Sequence, residues 1–218
     1  MHSVTLQGEG GSFQVGKILC LARNYVAHAR ELGNEVPADP VLFSKPASSI
    51  VKNGGDVIIP SYSHDCHHEA ELALLIGDTG KNVALEDAMS LVGGYGVAID
   101  MTLRDTQSQL KSKGYPWDLA KGFDTSCPIS EFVPAAKIAD PHQLQICLEV
   151  NGALRQNGNT NCMIQRIPET LAFISRAFTL EPGDIVLTGT PAGVGPVVPD
   201  DRMYAWISEV GSLEVGVK

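Results

Sequence analysis

The amino-acid sequence predicts a mixed α+β domain dominated by β-strands, and three observations carry that expectation. Apolar runs are short and repeatedly bounded by turn formers, with 22 glycines and 13 prolines among 218 residues, a pattern of many strands and turns and not of a helical bundle. Asn151-Gly152 separates two such runs and is the strongest short-range hairpin signal. Clear helical spacing occurs only at 168–178, where Leu171, Ile174 and Phe178 stand at i, i+3 and i+7 behind Pro168. The length suits one large domain, since domains hold roughly 100 to 200 residues.

Taken in chain order, a polar N-terminal segment precedes KILCLA (17–22), which reads as a short buried strand. Residues 24–31 could form a helix or a mobile loop, and 33–40 is a break. Short strands follow at 41–43 and 57–59, each bounded by Gly or Pro, and EAELALLI (69–76) is a further strand that turns at 77–81. Weak helical spacing at 85–92 leads into GYGVAID (94–100), a strand that ends on a carboxylate. Residues 102–113 read as a polar helix. The Asn-Gly hairpin joins 144–150 to 153–156, a strand at 184–187 follows the Pro182-Gly183 turn, and 203–217 alternates enough for a terminal hairpin.

Composition excludes several functions. Sixteen basic against 25 acidic residues give a net charge of −9, the wrong sign for a surface that neutralises nucleic-acid phosphates. No apolar run approaches the roughly 18 residues of a membrane span, and the N-terminus lacks a charged segment followed by an apolar one, so a cytoplasmic protein is expected. Five scattered cysteines without a C-x-x-C pair read as reduced thiols.

Candidate chemistry concentrates on carboxylates. Glu69 and Glu71 are one residue apart, so a strand projects both from one face, and Asp100 ends the next strand candidate. Like charges this close are tolerated only when solvated or when a cation lies between them. Three hard oxygen donors without imidazole or thiolate suit Mg²⁺ or Mn²⁺; a solvent-facing pair on an edge strand is the alternative. His64, Cys66, His67 and His68 offer a softer, zinc-like set, although one extended strand closes a tetrahedron awkwardly. HEAEL lacks the second histidine of a zincin helix. Arg104 and Gln107 share a helix face and could hold a substrate carboxylate, or could simply be solvated. His28 and Glu31 have the same spacing, and an imidazole oriented by a carboxylate deprotonates water near neutral pH; an ordinary surface contact is the other possibility. Gly189, Gly193 and Gly195 match no phosphate-binding fingerprint and suit a tight loop presenting the Thr190 hydroxyl. No G-x-S-x-G nucleophile elbow is present.

Taken together, RNYVAHARELG (23–33), PVLFSKP (40–46), HHEAELALLIG (67–77), GYGVAIDMTLRD (94–105), PWDLAKGFDTSCP (116–128), VNGALRQNGNT (150–160) and EPGDIVLTGTPAGVG (181–195) resemble the fumarylacetoacetate hydrolase family, in particular its small branch of acylpyruvate hydrolases and oxaloacetate-processing enzymes. The resemblance implies a β-roll of that type with a few short helices, an N-terminal extension (1–16) and a single catalytic domain (17–218). It implies Mg²⁺ or Mn²⁺ on Glu69, Glu71 and Asp100, catalysis by His28, Glu31 and Lys121, and substrate contacts from Arg23, Arg104, Gln107 and Thr190. A homodimer is also implied. The expected activity is hydrolysis of the C3–C4 bond of 2,4-dioxo acids such as acetylpyruvate or fumarylpyruvate. Decarboxylation or keto–enol tautomerisation of oxaloacetate on the same site is the alternative, and a non-catalytic ligand-binding protein a distant one.

Overall fold

The computed structural model describes residues 2–8 and 11–218. Strands β1 (Ser3–Leu6) and β2 (Gly11–Gln14) pair with each other, ahead of β3 (Ile18–Ala22). Helix α1 (Val26–Glu31) is followed by β4 (Val41–Lys45), β5 (Ile50–Lys52), β6 (Asp56–Val57), β7 (Cys66–His68), β8 (Ala70–Ile76) and β9 (Val92–Ile99). A short strand β10 (Thr102–Leu103) runs directly into α2 (Arg104–Ser112), and α3 (Asp118–Lys121) precedes β11 (Cys127–Ile129) and β12 (Val133–Pro134). The remainder is β13 (Gln145–Val150), β14 (Ala153–Asn159), α4 (Ile167–Ala177), β15 (Ile185–Leu187), β16 (Gly195–Val197), β17 (Arg202–Ile207) and β18 (Gly211–Val217). The expected β-dominated α+β architecture with short helices is the one observed.

An eight-stranded mixed sheet runs β4-β3-β15-β8-β9-β11-β5, with β12 also on β9. A five-stranded sheet, β14-β13-β17-β18-β6, packs against it, and β10-β7-β16 forms a small third sheet. Side chains of β8 alternate between two cores. Leu72, Leu74 and Ile76 enter the larger one with Ile146, Leu148 and Leu213; Ala73 and Leu75 enter the smaller with Ile18, Ala98 and Phe132. The Asn-Gly signal is realised as expected: Val150 pairs with Ala153, and Asn151 and Gly152 both take left-handed φ, 52° and 76°.

Three boundaries differ from expectation for physical reasons. The expected 69–76 strand starts at Ala70, because Glu69 lies where the chain passes from the small sheet to the large one. Thr102 and Leu103 extend the polar helix backwards as strand, pairing with His67 and Cys66. The polar N-terminal segment forms a hairpin whose Val4 and Leu6 are buried in the smaller core. Hydrogen bonds from Gln7 N–H to Phe132 O and from Phe132 N–H to Thr5 O, both 2.8 Å, fasten it.

Phe132 is the hub of that attachment. It is fully buried, and its ring occupies the space that Gly96 leaves open, where a Cβ would stand 3.0 Å from the ring. Phe132→Ala should lower stability by about 3–5 kcal/mol, the usual cost of emptying a large aromatic site. Urea unfolding measures this, and a loss below about 1 kcal/mol would show that the hairpin closes the gap.

Candidate functional site

The antiparallel register of β8 and β9 builds the centre of the site. Ala70 pairs with Ile99 and Glu71 with Ala98, so the next pair along the ladder is Glu69 with Asp100, joined by a hydrogen bond from Asp100 N–H to Glu69 O (2.8 Å). Directly opposed residues share a face, and so do residues two apart on one strand. Glu69, Glu71 and Asp100 therefore converge, each offering an oxygen within 4.8 Å of the others, and all three are buried.

Three internal cations answer this charge. Lys121, at the end of α3, donates to Glu69 Oε2 (2.9 Å), Asp100 Oδ2 (2.5 Å) and Thr102 Oγ1 (2.6 Å). Arg104, the first residue of α2, donates from Nη2 to Glu69 Oε1 (2.5 Å) and from Nη1 to Gln107 Oε1 (2.9 Å). Lys45, fully buried at the end of β4, lies 2.8 Å from Asp100 Oδ1. Its N–H directions are taken by the carbonyls of Met101, Lys121 and Ser126, so the contact is charge proximity and Oδ1 has no hydrogen-bond donor.

The resulting balance is uneven. Burial alone would raise the Glu69 carboxyl, but Lys121, Arg104 and His28 hold it well below the usual range. Lys121 stays protonated, because Asp100 and Glu69 outweigh the burial that would lower it. Glu71 is pushed well above its ordinary value by burial first and then by Asp100 and Glu69. Its one direct donor is Gly189 N–H at 2.6 Å. Lys121 acts on it only at longer range; among the described residues Glu71 is the member of the cluster with no ion-pair contact, and Asp100 Oδ1 the acceptor with no hydrogen-bond donor. Those features, on three hard oxygen ligands, fit Mg²⁺ or Mn²⁺.

The loop that carries Gly189 is fixed from both sides. Gly189 takes φ +91°, and a Cβ there would stand 2.7 Å from the Asn24 side chain. Asn24 donates to Thr188 O (2.8 Å) and Gln165 O (2.9 Å) and accepts from Gln165 N–H (2.7 Å). This buried clamp immediately follows Arg23, whose φ of 58° is left-handed, so the strained turn that aims Arg23 is held by its neighbour.

His28, on α1, is buried and borders a cleft of about 30 Å³ with Arg23, Glu69, Arg104, Gln107, Lys111 and Lys121. Burial chiefly, with Arg104 and Lys121, lowers its pKa against the opposing pull of Glu69 and Glu31, so the imidazole is neutral at pH 7. Its Nδ1 has no hydrogen-bond partner and lies 3.7 Å from Glu31 Oε2. Glu31 instead accepts from Gly193 N–H with both oxygens, at 3.0 and 3.1 Å. Gly193 (φ +98°) also packs directly on β14, where a Cβ would meet Arg155 O at 2.2 Å.

Of the residues expected from sequence, Arg23, His28, Glu69, Arg104, Gln107 and Lys121 line that one cleft. Glu71 and Asp100 stand behind it in the carboxylate cluster. Thr190 is farther back: its hydroxyl donates to Ala70 O (2.8 Å) and accepts from Gln156 Nε2 (2.7 Å). The zinc-like set does not converge. His67 bonds Asp65 (2.8 Å), while His68 faces Gln156 (3.1 Å). Lys45 and Gln156 are the members that sequence reasoning missed. A lysine inside the apolar run VLFSKP was the available signal, since a strand buries such a charge only with partners; nothing local marks Gln156.

Comparisons with known proteins agree with this geometry. Residues 17–218 match the family model described as fumarylacetoacetate (FAA) hydrolase C-terminal. The chain is 48% identical, over 92% of its length and 91% of the relative's, to the mitochondrial oxaloacetate tautomerase FAHD1 of Bos taurus, and 47% identical over 93% and 91% to that of Arabidopsis thaliana. A crystal structure of fumarylpyruvate hydrolase from Pseudomonas aeruginosa in complex with Mn²⁺ and pyruvate superposes with a TM-score of 0.94 at 40% identity, covering 99% of this chain and 94% of that one.

The uneven charge balance makes a pH prediction. A carboxyl raised on folding binds its proton more tightly in the folded than in the unfolded chain, so its contribution to stability is lost as pH rises above the ordinary value of 4.5. Chelated protein should therefore be destabilised with rising pH in a way that Mg²⁺ or Glu71→Gln suppresses. Thermal melts across pH measure it, and identical profiles for wild type and Glu71→Gln would remove the assignment.

Proposed function

We propose a function from the premise that this chain belongs to the fumarylacetoacetate hydrolase family: it is a divalent-cation-dependent enzyme that moves protons at C3 of a small 2-oxo acid bearing a second carbonyl at C4, with oxaloacetate keto–enol tautomerisation as its first activity. The observation that carries this reading is one cleft bordered by a neutral buried imidazole, a guanidinium–amide pair and Glu69, the member through which the three-carboxylate cluster reaches it. The relatives of 47 to 48% identity support oxaloacetate, and the Mn²⁺ and pyruvate in the Pseudomonas aeruginosa structure support the cation and the 2-oxo acid.

A Mg²⁺ or Mn²⁺ ion on Glu69, Glu71 and Asp100 would supply Lewis acidity to the carboxylate and keto oxygens of the substrate. The chain's own groups provide the rest. Arg104 spends Nη1 and Nη2 on Gln107 and Glu69, which leaves its Nε–H without a partner; the Gln107 amide N–H₂ is likewise free beside it, because Oε1 accepts from Arg104. These donors suit a substrate carboxylate. His28, being neutral, can take the proton from C3. The C–H electron pair becomes the C2–C3 double bond, the former carbonyl pair moves to the C2 oxygen, and that oxygen receives a proton, giving the enol. Lys121 stabilises charge at the far carbonyl only by exchanging one of its three present hydrogen bonds. The cleft of about 30 Å³ has room for roughly two waters, so substrate entry requires α1 to move outward.

A second reading, hydrolysis of acylpyruvates, is favoured by a separate cavity of about 300 Å³ lined by Phe43, Tyr115, Trp117 and Lys121. It shares Trp117 and Lys121 with the cleft and could take an acyl group beyond C4. His28 would then deprotonate water, whose oxygen bonds to C4 as the C3–C4 bond breaks and its electron pair passes into the pyruvate enolate. The proposal also includes Mg²⁺ as the working ion and a homodimer, for which exposed Ile58, Tyr62 and Leu119 supply apolar surface. No helix among the described residues is long and apolar enough to cross a membrane; cytoplasmic placement is proposed although the tautomerase relatives are mitochondrial.

A panel of oxaloacetate, acetylpyruvate and fumarylpyruvate, assayed with Mg²⁺ and with EDTA, tests this. Activity should vanish on exhaustive chelation, and turnover without a divalent ion would end the proposal. His28→Ala should lower tautomerisation by about 10²-fold or more, the usual scale for a general base. Asp100→Ala should abolish every activity found. If His28→Ala spares oxaloacetate and cripples acylpyruvates, the hydrolase reading replaces the first one.

A further inference from the structure

Arg104 and Gln107 are followed on α2 by Lys111, so the three occupy i, i+3 and i+7 on one face of the helix and border the same cleft. Lys111 Nζ donates to Asn34 Oδ1 (3.1 Å), and both residues line the cleft. Arg23, on its left-handed backbone between β3 and the Asn24 clamp, lines the same cleft, near enough to act electrostatically on Lys111. The other cations here are matched: Arg104 is paired with Glu69, Lys121 with Glu69 and Asp100, and Lys45 with Asp100. Neither Arg23 nor Lys111 has a carboxylate in ion-pair contact among the described residues. Two cations are thus brought together beside a reaction site with no anion of the protein between them.

We propose that Lys111 and Arg23 form a second anion subsite, which receives the distal carboxylate of a dianionic 2-oxo acid and makes Lys111 a specificity-determining residue. The inference rests on the reading of the carboxylate cluster as the anchor of the 2-oxo acid head and goes beyond it by naming the substrate's other end. Helix geometry supports the span: Gln107 and Lys111 are four residues apart, about 6 Å along the axis, and a lysine reaches that far. A four-carbon dicarboxylate such as oxaloacetate fits between a head held beside Arg104 and Gln107 and a tail reaching Lys111. Electrostatics agrees with the geometry: Lys111 is exposed, yet partial burial, with Arg23 and Arg104, holds its ammonium below the ordinary range. The 300 Å³ cavity offers no such partner. Its only charges are the exposed Asp118 and the already paired Lys121.

Two non-reactive probes separate the ends of the ligand. Oxalate presents the head alone, and 3,3-difluoro-oxaloacetate adds the distal carboxylate while lacking a C3 hydrogen. Calorimetry with the Mg²⁺-loaded protein should show Lys111→Met weakening difluoro-oxaloacetate at least tenfold and oxalate less than twofold, with Lys111→Arg restoring the former to within about threefold. The difluoro-oxaloacetate affinity should also fall less steeply with salt in Lys111→Met than in wild type. An unchanged difluoro-oxaloacetate affinity in Lys111→Met overturns the subsite, as does equal weakening of both probes, which would place Lys111 at the head. Wild-type protein that binds neither probe overturns the head assignment and this inference with it.

Discussion

The structure turns on the last pair of the β8–β9 ladder. Antiparallel register places Glu69 opposite Asp100 with Glu71 two residues along, and this puts three carboxylates on the face of a buried sheet where water cannot screen them. A buried carboxylate without a partner is among the most costly features a fold can contain. Everything around the ladder end supplies positive charge or N–H donors. β4 brings Lys45, α2 begins with Arg104, α3 ends with Lys121, and the loop after β15 turns Gly189 N–H onto Glu71.

This compensation is also a scaffold. Lys45 holds the carbonyls of Met101, Lys121 and Ser126, tying the chain beyond β9 to the end of α3. Gln156 joins the break between β7 and β8 to the 190 loop, accepting from Ala70 N–H (2.9 Å) and donating to Thr190 and Pro191. Removing one partner from such a network typically costs about 3–5 kcal/mol, because it leaves the other charge or donor buried and unpaired. The carboxylates are thereby held by rigid strands while His28 sits on α1, a six-residue helix without a side-chain cap. The division is chemically sensible. On the proposed function, oxygens that hold a cation must keep their spacing, whereas a proton carrier must move aside for substrate and then exclude water.

How much of this was legible in the sequence depends on the range of the signal. The Asn151-Gly152 turn and the α4 stripe are local patterns and emerged where expected. The carboxylate pair followed from the two-residue period of a strand, even though the strand breaks at Glu69, because the backbone stays extended through the break. Asp100 was marked by its place at the end of a strand candidate, but its convergence with the glutamates depends on the β8–β9 register, which no local pattern specifies and which the family resemblance implied. Lys45, Gln156 and Asn24 escaped because their partners lie between 34 and 164 residues away along the chain. Thr190 reads as an exposed hydroxyl in a glycine-rich loop, and the fold turns it inward to serve Ala70 and Gln156. The N-terminal hairpin hid behind polar composition, since its burial falls on Val4 and Leu6 alone in β1.

On the proposed reading, tautomerisation and C–C hydrolysis both end with negative charge delocalised from C3 onto the C2 oxygen, and so make the same demand on the cation site. Both require the 2-oxo acid head beside the carboxylate cluster and a neutral His28. They diverge only in what His28 deprotonates, carbon or water, and that depends on which of the two lies closer to the ring when the cleft closes. A cleft of about 30 Å³ leaves little room for a water once a four-carbon acid occupies it. A water placed against C4 would have to enter from the side of Trp117 and Lys121, where the larger cavity lies. On that reading the balance between the two chemistries would be set by how far substrate fills the space at Trp117, and a short dicarboxylate ending at the proposed Lys111 subsite would leave that wall untouched and keep His28 on carbon.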